Sequence, residues 1–145
     1  MKFYESGDSS KPVIFLFPGT CCLYSSFDHI LDRLHSYFYT VTVSYDGFLN
    51  MFGIEQGGNP WITKQSVYNQ FYSDLVTKVQ HGIDVPGTTI HVFYATKMGR
   101  KYEKRYCTYF KNPDIRRHNM QHEELFCCHS AEWVEEVRKA VEGDR

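Results

Sequence analysis

The sequence predicts an α/β fold, a three-layer sandwich around a mostly parallel sheet of about four to five strands, and three observations predict it. The run Val13-Ile14-Phe15-Leu16-Phe17 is apolar without polar alternation, as suits a parallel strand covered on both faces. A helix-periodic stretch and then a β-branched stretch follow within residues 13–45, and a right-handed crossover turns that order into a βαβ unit with parallel strands. Strand-type and helix-type segments then keep alternating almost to the end of the chain.

The Val13 strand ends in the turn signal Pro18-Gly19-Thr20. Ser25 or Ser26 can cap the next helix, whose apolar positions Phe27, Ile30, Leu31, Leu34 and Phe38 follow the helical period, with Asp28 well placed in its first turn. Thr40 to Tyr45 is the second strand, and Asp46-Gly47 ends it. Residues 48–60 are loop-like, with Gly53, Gly57, Gly58 and Asn59-Pro60, and mark the natural internal junction of what the length otherwise makes one domain, residues 1–145. Asn59 as cap and Pro60 at the first helical position open a helix from Trp61 to about Val79. Its apolar stripe, Tyr68, Phe71, Tyr72, Leu75 and Val79, needs a partner surface.

A connector, His81 to Gly87, leads into a strand over Thr89 to Ala95 and then a helix over Gly99 to Phe110, with Tyr102, Tyr106, Tyr109 and Phe110 as its apolar side. Asn112-Pro113 stops that helix. Asp114 to Met120 reads as a polar strand near a sheet edge, because Arg116, Arg117, His118 and Asn119 cannot all be buried. Ser130 caps a last amphipathic helix with Trp133, Val134, Val137 and Val141 inward, Glu132 and Glu135 early, and Arg138 and Lys139 late.

Composition narrows the function. Hydrophobic residues make up 42% and charged residues 23%, the profile of a globular protein rather than a disordered one. The 17% aromatic content points to thick helix-on-sheet packing or a wide apolar pocket. Lys and Arg total 16 against 17 Asp and Glu, and the one dense basic stretch, Lys97 to Arg105, is broken by Tyr102 and Glu103, so neither nucleic acid nor an anionic membrane is expected as partner. The five cysteines, Cys21, Cys22, Cys107, Cys127 and Cys128, are odd in number and lack Cys-x-x-Cys spacing, which argues against a disulfide framework and a zinc site. No secretory leader pattern and no apolar run near the roughly 18 residues of a membrane span is present, so the expectation is a cytoplasmic protein without metal or cofactor. Ligands of open parallel sheets sit at the carboxyl ends of the strands, which directs attention to residues 18–24, 45–49, 95–99 and 120–126.

The strand and turn Val13-Ile-Phe-Leu-Phe-Pro-Gly19, the helix after it, the strand ending Val43-Ser-Tyr-Asp-Gly-Phe48 and the late stretch Gln121-His-Glu-Glu124 together resemble an α/β-hydrolase of the small bacterial type. The resemblance implies an oxyanion-type loop at Gly19, Thr20 and Cys21, whose backbone N–H groups would face a developing oxyanion. It also implies that His122, after the last strand and before the last helix, is the general base. Pro18-Gly19 reads equally well as a tight turn leaving a buried strand, and His122 as a surface-loop histidine. Glu123 and Glu124 could bond an imidazole, although adjacent residues are badly placed to do so. The family's acid follows the preceding strand, where Thr96-Lys97-Met98-Gly99 offers no carboxylate, leaving Glu103 as the acid candidate.

The departure from the family lies in the nucleophile. The Gly-x-Ser-x-Gly elbow occurs nowhere in the chain. Only residues 46–88 separate the Tyr45 and Thr89 strands, so the elbow, its strand and its neighbours are absent together. Either the Val13 and Tyr45 strands close directly on the Thr89 strand, or a homo-oligomer or a complementing chain covers the edge. Cys21 and Cys22, before a helix N-terminus, offer a thiolate that could pair with His122.

The expectation is therefore an α/β-hydrolase derivative, by descent acting on ester or related acyl bonds of a small molecule, without serine-hydrolase activity of its own. The alternative is a non-enzymatic binding or assembly module, or half of a split hydrolase. A flavodoxin-like domain is a third reading, against which Gly19-Thr20-Cys21-Cys22 lacks the hydroxyl density of a phosphate loop.

Overall fold

Valines alternate with hydroxyl residues over Tyr39–Ser44, and in the computed structural model, which describes residues 2–19, 22, 24–44 and 64–143, this segment is the central strand of a sheet. We number the strands β1 (Lys2–Ser6), β2 (Val13–Leu16), β3 (Tyr39–Ser44), β4 (His91–Ala95) and β5 (Asp114–His118). The helices are α1 (Asp28–Leu34), α2 (Lys64–Val76), α3 (Arg100–Tyr109), α4 (Glu124–Cys128) and α5 (Ser130–Glu142). The chain mixes α and β structure and divides into two compact units, Met1–Thr77 and Lys78–Arg145. That division falls after α2; the stretch 48–60 read as a junction lies outside the described residues.

In the first unit the sheet order is β1-β3-β2, with β1 antiparallel and β2 parallel to β3. The expected βαβ unit is present as β2-α1-β3. β1 was not foreseen: Lys2–Ser6 is a short polar-apolar strand ahead of the first strong apolar run. Its register pairs Phe3 with Val43 and Ser6 with Thr40. Thr40, Thr42 and Ser44 are buried on one face of β3, and each hydroxyl is engaged. Thr40 Oγ1 donates to the Ser6 carbonyl at 3.1 Å, Thr42 Oγ1 to the Tyr4 carbonyl at 3.4 Å, and Ser44 Oγ accepts the Tyr24 N–H at 3.3 Å. The Tyr24 ring stacks on Tyr4 at 3.9 Å. Phe27, Ile30, Leu34 and Phe38 supply the apolar core, as their spacing predicts.

Three local expectations need correction. The Val13–Phe17 run is not covered on both faces: among the described strands β2 lies at the sheet edge, and Val13, Phe15 and Phe17 are each more than half exposed. Ser25 and Ser26 do not cap α1, because the chain first makes a 3-10 turn over Tyr24–Phe27 and α1 starts at Asp28 with no side-chain cap. The expected α2 stripe is exposed at Tyr68, Phe71, Tyr72 and Leu75, the last at 84%, with Tyr68 and Tyr72 stacked on each other; Asn59 and Pro60 lie outside the described residues.

The second unit is another βαβ arrangement, β4-α3-β5, with β4 and β5 parallel and Ala95 paired with His118. The described strands thus form a three-stranded and a two-stranded sheet, rather than one mostly parallel sheet of the expected size. β2 and β4, the strands expected to close on each other, belong to different sheets. Two strands leave β5 an edge, which accommodates its polar sequence. Arg116 and His118 turn to one side with side chains 18% and 13% exposed, and Arg117 turns outward at 57%. Short α4 lies where the sequence suggested only loop, and α5 begins at Ser130 with His129 in the capping position and no side-chain cap. Val134 and Val137 are buried as expected, whereas Val141, in the last turn, is exposed.

One backbone position ties the start of the chain to α1. Gly7 has φ +96°, and a Cβ there would stand 2.9 Å from Cδ2 of His35 and 3.3 Å from the Phe38 carbonyl. Lys11 Nζ meanwhile donates to the carbonyls of His35 and Ser36, which the end of α1 leaves open. Gly7→Ala is expected to lower stability by about 1–3 kcal/mol through backbone strain and collision. Chemical denaturation measures this, and a variant with the parental midpoint and slope would contradict it.

Candidate functional site

In a βαβ unit the loops leaving the carboxyl ends of the strands diverge and open a crevice. The second unit has a cavity of about 210 Å³ at this place. Phe93, Tyr94 and Ala95 reach it from β4, His118 from the end of β5, and Met98 and residues 120–123 from the following turns. Tyr106 of α3, Leu125 and Phe126 of α4 and Trp133 of α5 complete the wall. Two of the four segments singled out by the strand-end rule, 95–99 and 120–126, thus converge on one cavity.

Aromatic edges shape it. Phe93 meets the His118 ring edge-on at 6.1 Å, Tyr94 meets Tyr106 at 6.0 Å, and Phe126 meets Trp133 at 5.3 Å. The Tyr94 hydroxyl donates to the Gly99 carbonyl at 2.5 Å, fixing the turn after β4. On the other side, Glu124 Oε2 accepts the Gln121 N–H at 2.6 Å, holding the turn before α4. Glu123 in that turn has φ +58°, an uncommon conformation for a side-chain-bearing residue.

His122 lines this cavity from the mouth, with its side chain 71% exposed. Its Nε2 lies 3.7 Å from Glu123 Oε1, beyond hydrogen-bond reach, and Glu124 is spent on the turn. Glu103 stands elsewhere. Its Oε1 accepts both Nε and Nη2 of Arg117, at 3.1 and 2.6 Å, and this carboxylate raises the Arg117 pKa. Glu103 is not among the residues lining the cavity, so the geometry gives it a bond across α3 and β5 rather than an acid's place behind His122. Gly19 belongs to the first unit, where its carbonyl accepts the Cys22 N–H at 3.1 Å. Thr20 and Cys21 lie outside the described residues. Cys22, Cys107, Cys127 and Cys128 form no disulfide, and no group of three or more metal-ligating side chains occurs among the described residues. No described helix is long and apolar enough to cross a membrane.

Two arrangements escaped the sequence. Ser6 Oγ lies 3.0 Å from Nε2 of His35, the spacing of a nucleophile and its base. Ser6 Oγ is also 2.8 Å from Thr40 Oγ1, which in turn lies 3.1 Å from the same nitrogen, so the three groups form a closed staple across β1, β3 and the end of α1. Residues 6 and 35 stand in no motif, and nothing in the sequence signals their approach. The second is His118, whose Nδ1 is 3.9 Å from Glu132 Oε1 while Nε2 is buried without a hydrogen-bond partner among the described residues. Its signal was the alternation of β5, which puts Arg116 and His118 on one side.

The other end of the two-stranded sheet is held by charge. Asp114 Oδ2 lies 2.7 Å from His91 Nδ1 on the neighbouring strand and 3.1 Å from Arg116 Nε, and Arg116 reaches Glu136 of α5 at 3.4 Å. The His91 and Arg116 hydrogen bonds hold the Asp114 carboxyl below its ordinary pKa.

No protein-family description, curated protein or solved structure matches the chain.

A carboxyl whose pKa is depressed by folding stabilises the fold fully above its unfolded pKa and loses that contribution as pH falls through the folded value. Asp114→Asn should therefore cost about 0.5–1 kcal/mol at pH 7, the small value expected for a solvent-screened pair. The difference between parent and variant should shrink as pH is lowered from neutrality toward the carboxylate range. Urea titrations of both proteins across that interval measure it, and a pH-independent difference would contradict it.

Proposed function

We propose that this chain is a small-molecule binding module of α/β-hydrolase-like descent, with its site in the aromatic cavity at the carboxyl ends of β4 and β5. The observation that carries the reading is the convergence of the two strand-end segments, His122 included, on one cavity with polar groups at its mouth and aromatic walls. Absence of a Gly-x-Ser-x-Gly elbow speaks against serine-hydrolase turnover by this chain alone, as does the commitment of Glu103 to Arg117. Descent from enzymes of ester or related acyl chemistry, in a cytoplasmic setting, belongs to this proposal and rests on the resemblance around Gly19 and His122.

A second reading, assembly with another copy of the chain, is favoured by one observation. Phe3, Val13 and Phe15 lie on the same side of the first sheet by register and are each more than half exposed. Such a patch is usual where a surface is covered by another protein.

Binding and chemistry are tested separately. Titration of a small-fragment set into isotope-labelled protein should move amide resonances of residues 93–98 and 118–126 and the Trp133 indole together; the absence of any such cluster would sink the binding reading. A serine-directed fluorophosphonate should leave the protein unlabelled. Labelling would overturn the non-catalytic part of the proposal, and its loss in Ser6→Ala would trace it to the Ser6–His35 pair.

A further inference from the structure

Building on the binding reading above, we propose that the β4–β5 cavity selects a single-ring aromatic molecule carrying a hydroxyl donor, a compound of the phenol class, and that His118 is the residue that reads the hydroxyl. Size is the first argument. A cavity of about 210 Å³ is smaller than the pockets of drug-sized ligands but larger than an apolar cavity of about 150 Å³ that accepts benzene, so one substituted ring fits and a fused system does not. Wall chemistry is the second: Phe93, Tyr106, Phe126 and Trp133 present edges and faces to a flat guest.

The hydroxyl follows from His118. Its Nδ1 faces the Glu132 carboxylate at 3.9 Å, and an imidazole that carries its proton on that nitrogen presents the Nε2 lone pair as an acceptor. Nε2 is buried and has no hydrogen-bond partner among the described residues. Leaving a buried acceptor unpaired is costly, and a ligand that donates to it relieves the cost. An aromatic molecule without a donor gains only the apolar contact. His118 lines the cavity but its Nε2 is itself buried, so contact with that nitrogen entails a local shift of the wall. The turn at residues 120–123, with Glu123 at φ +58° and Gln121 held through its N–H by Glu124, is the strained part of that wall.

Competing titrations test this. Phenol and toluene are added separately to labelled wild-type protein and to His118→Leu, following the cavity amides. Phenol should bind wild type about tenfold tighter than toluene, the discrimination expected of one hydrogen bond to a buried acceptor, and the two should converge in His118→Leu with toluene affinity retained. Equal binding of both by wild type would overturn the role of His118 and leave the binding reading intact. Binding of neither would overturn both. The imidazole nitrogen resonances of wild-type His118 give a readout independent of whether the variant folds: Nε2 should shift with phenol and stay in place with toluene, and movement with both or neither counts against the proposal.

Discussion

The second unit depends on a match of spacings between β5 and α5. Alternate residues of a strand are separated by about 6.6 Å, and residues four apart on a helix by about 6 Å. Arg116 and His118, two apart on β5, therefore face Glu136 and Glu132, four apart on α5, and the pairing of the earlier with the later sets the helix antiparallel to the strand. This match brings α5 over the sheet with Val134 and Val137 buried and Trp133 at the cavity. Glu132, which faces His118, is thus also part of what places the cavity's far wall.

The first unit solves a different problem. Its central strand places hydroxyls under α1 where an apolar strand would place methyl groups, and this works only because β1 is antiparallel and offers carbonyls from Tyr4 and Ser6. The Ser6–His35–Thr40 staple follows from the same pairing. A serine and a histidine at catalytic spacing are here a consequence of strand register, and the closed three-way contact is what distinguishes them from a nucleophile awaiting a substrate.

Elements with a strong local period were legible in the sequence. The β2-α1-β3 unit, α3, β5 and α5 all follow from apolar spacing and breakers, and Asn112-Pro113 stops α3 close to where it ends. What failed depended on neighbours distant in the chain. The Val13 run looked doubly buried because a run of apolar residues cannot reveal that its strand lies at an edge. Glu103 looked available because nothing in the sequence announces that Arg117, across a helix and a turn, takes it. The cavity was half legible: strand-end logic named both segments that form it, and His122 lies on its wall. His118 went unremarked because a histidine in a basic strand resembles its neighbours until the helix opposite is in place.

The apolar run Val13–Phe17, which contains β2 and exposes Val13, Phe15 and Phe17, would be an aggregation hazard in isolation. Lys11-Pro12 precede it and Pro18-Gly19 follow it. Neither proline can donate to a ladder, and Pro12 already accepts the Tyr39 N–H through its carbonyl, so the run is bounded by a proline at each end. The edge can therefore be paired over only a short length. That limit lets the chain keep apolar side chains exposed without presenting a strand long enough to seed a fibre.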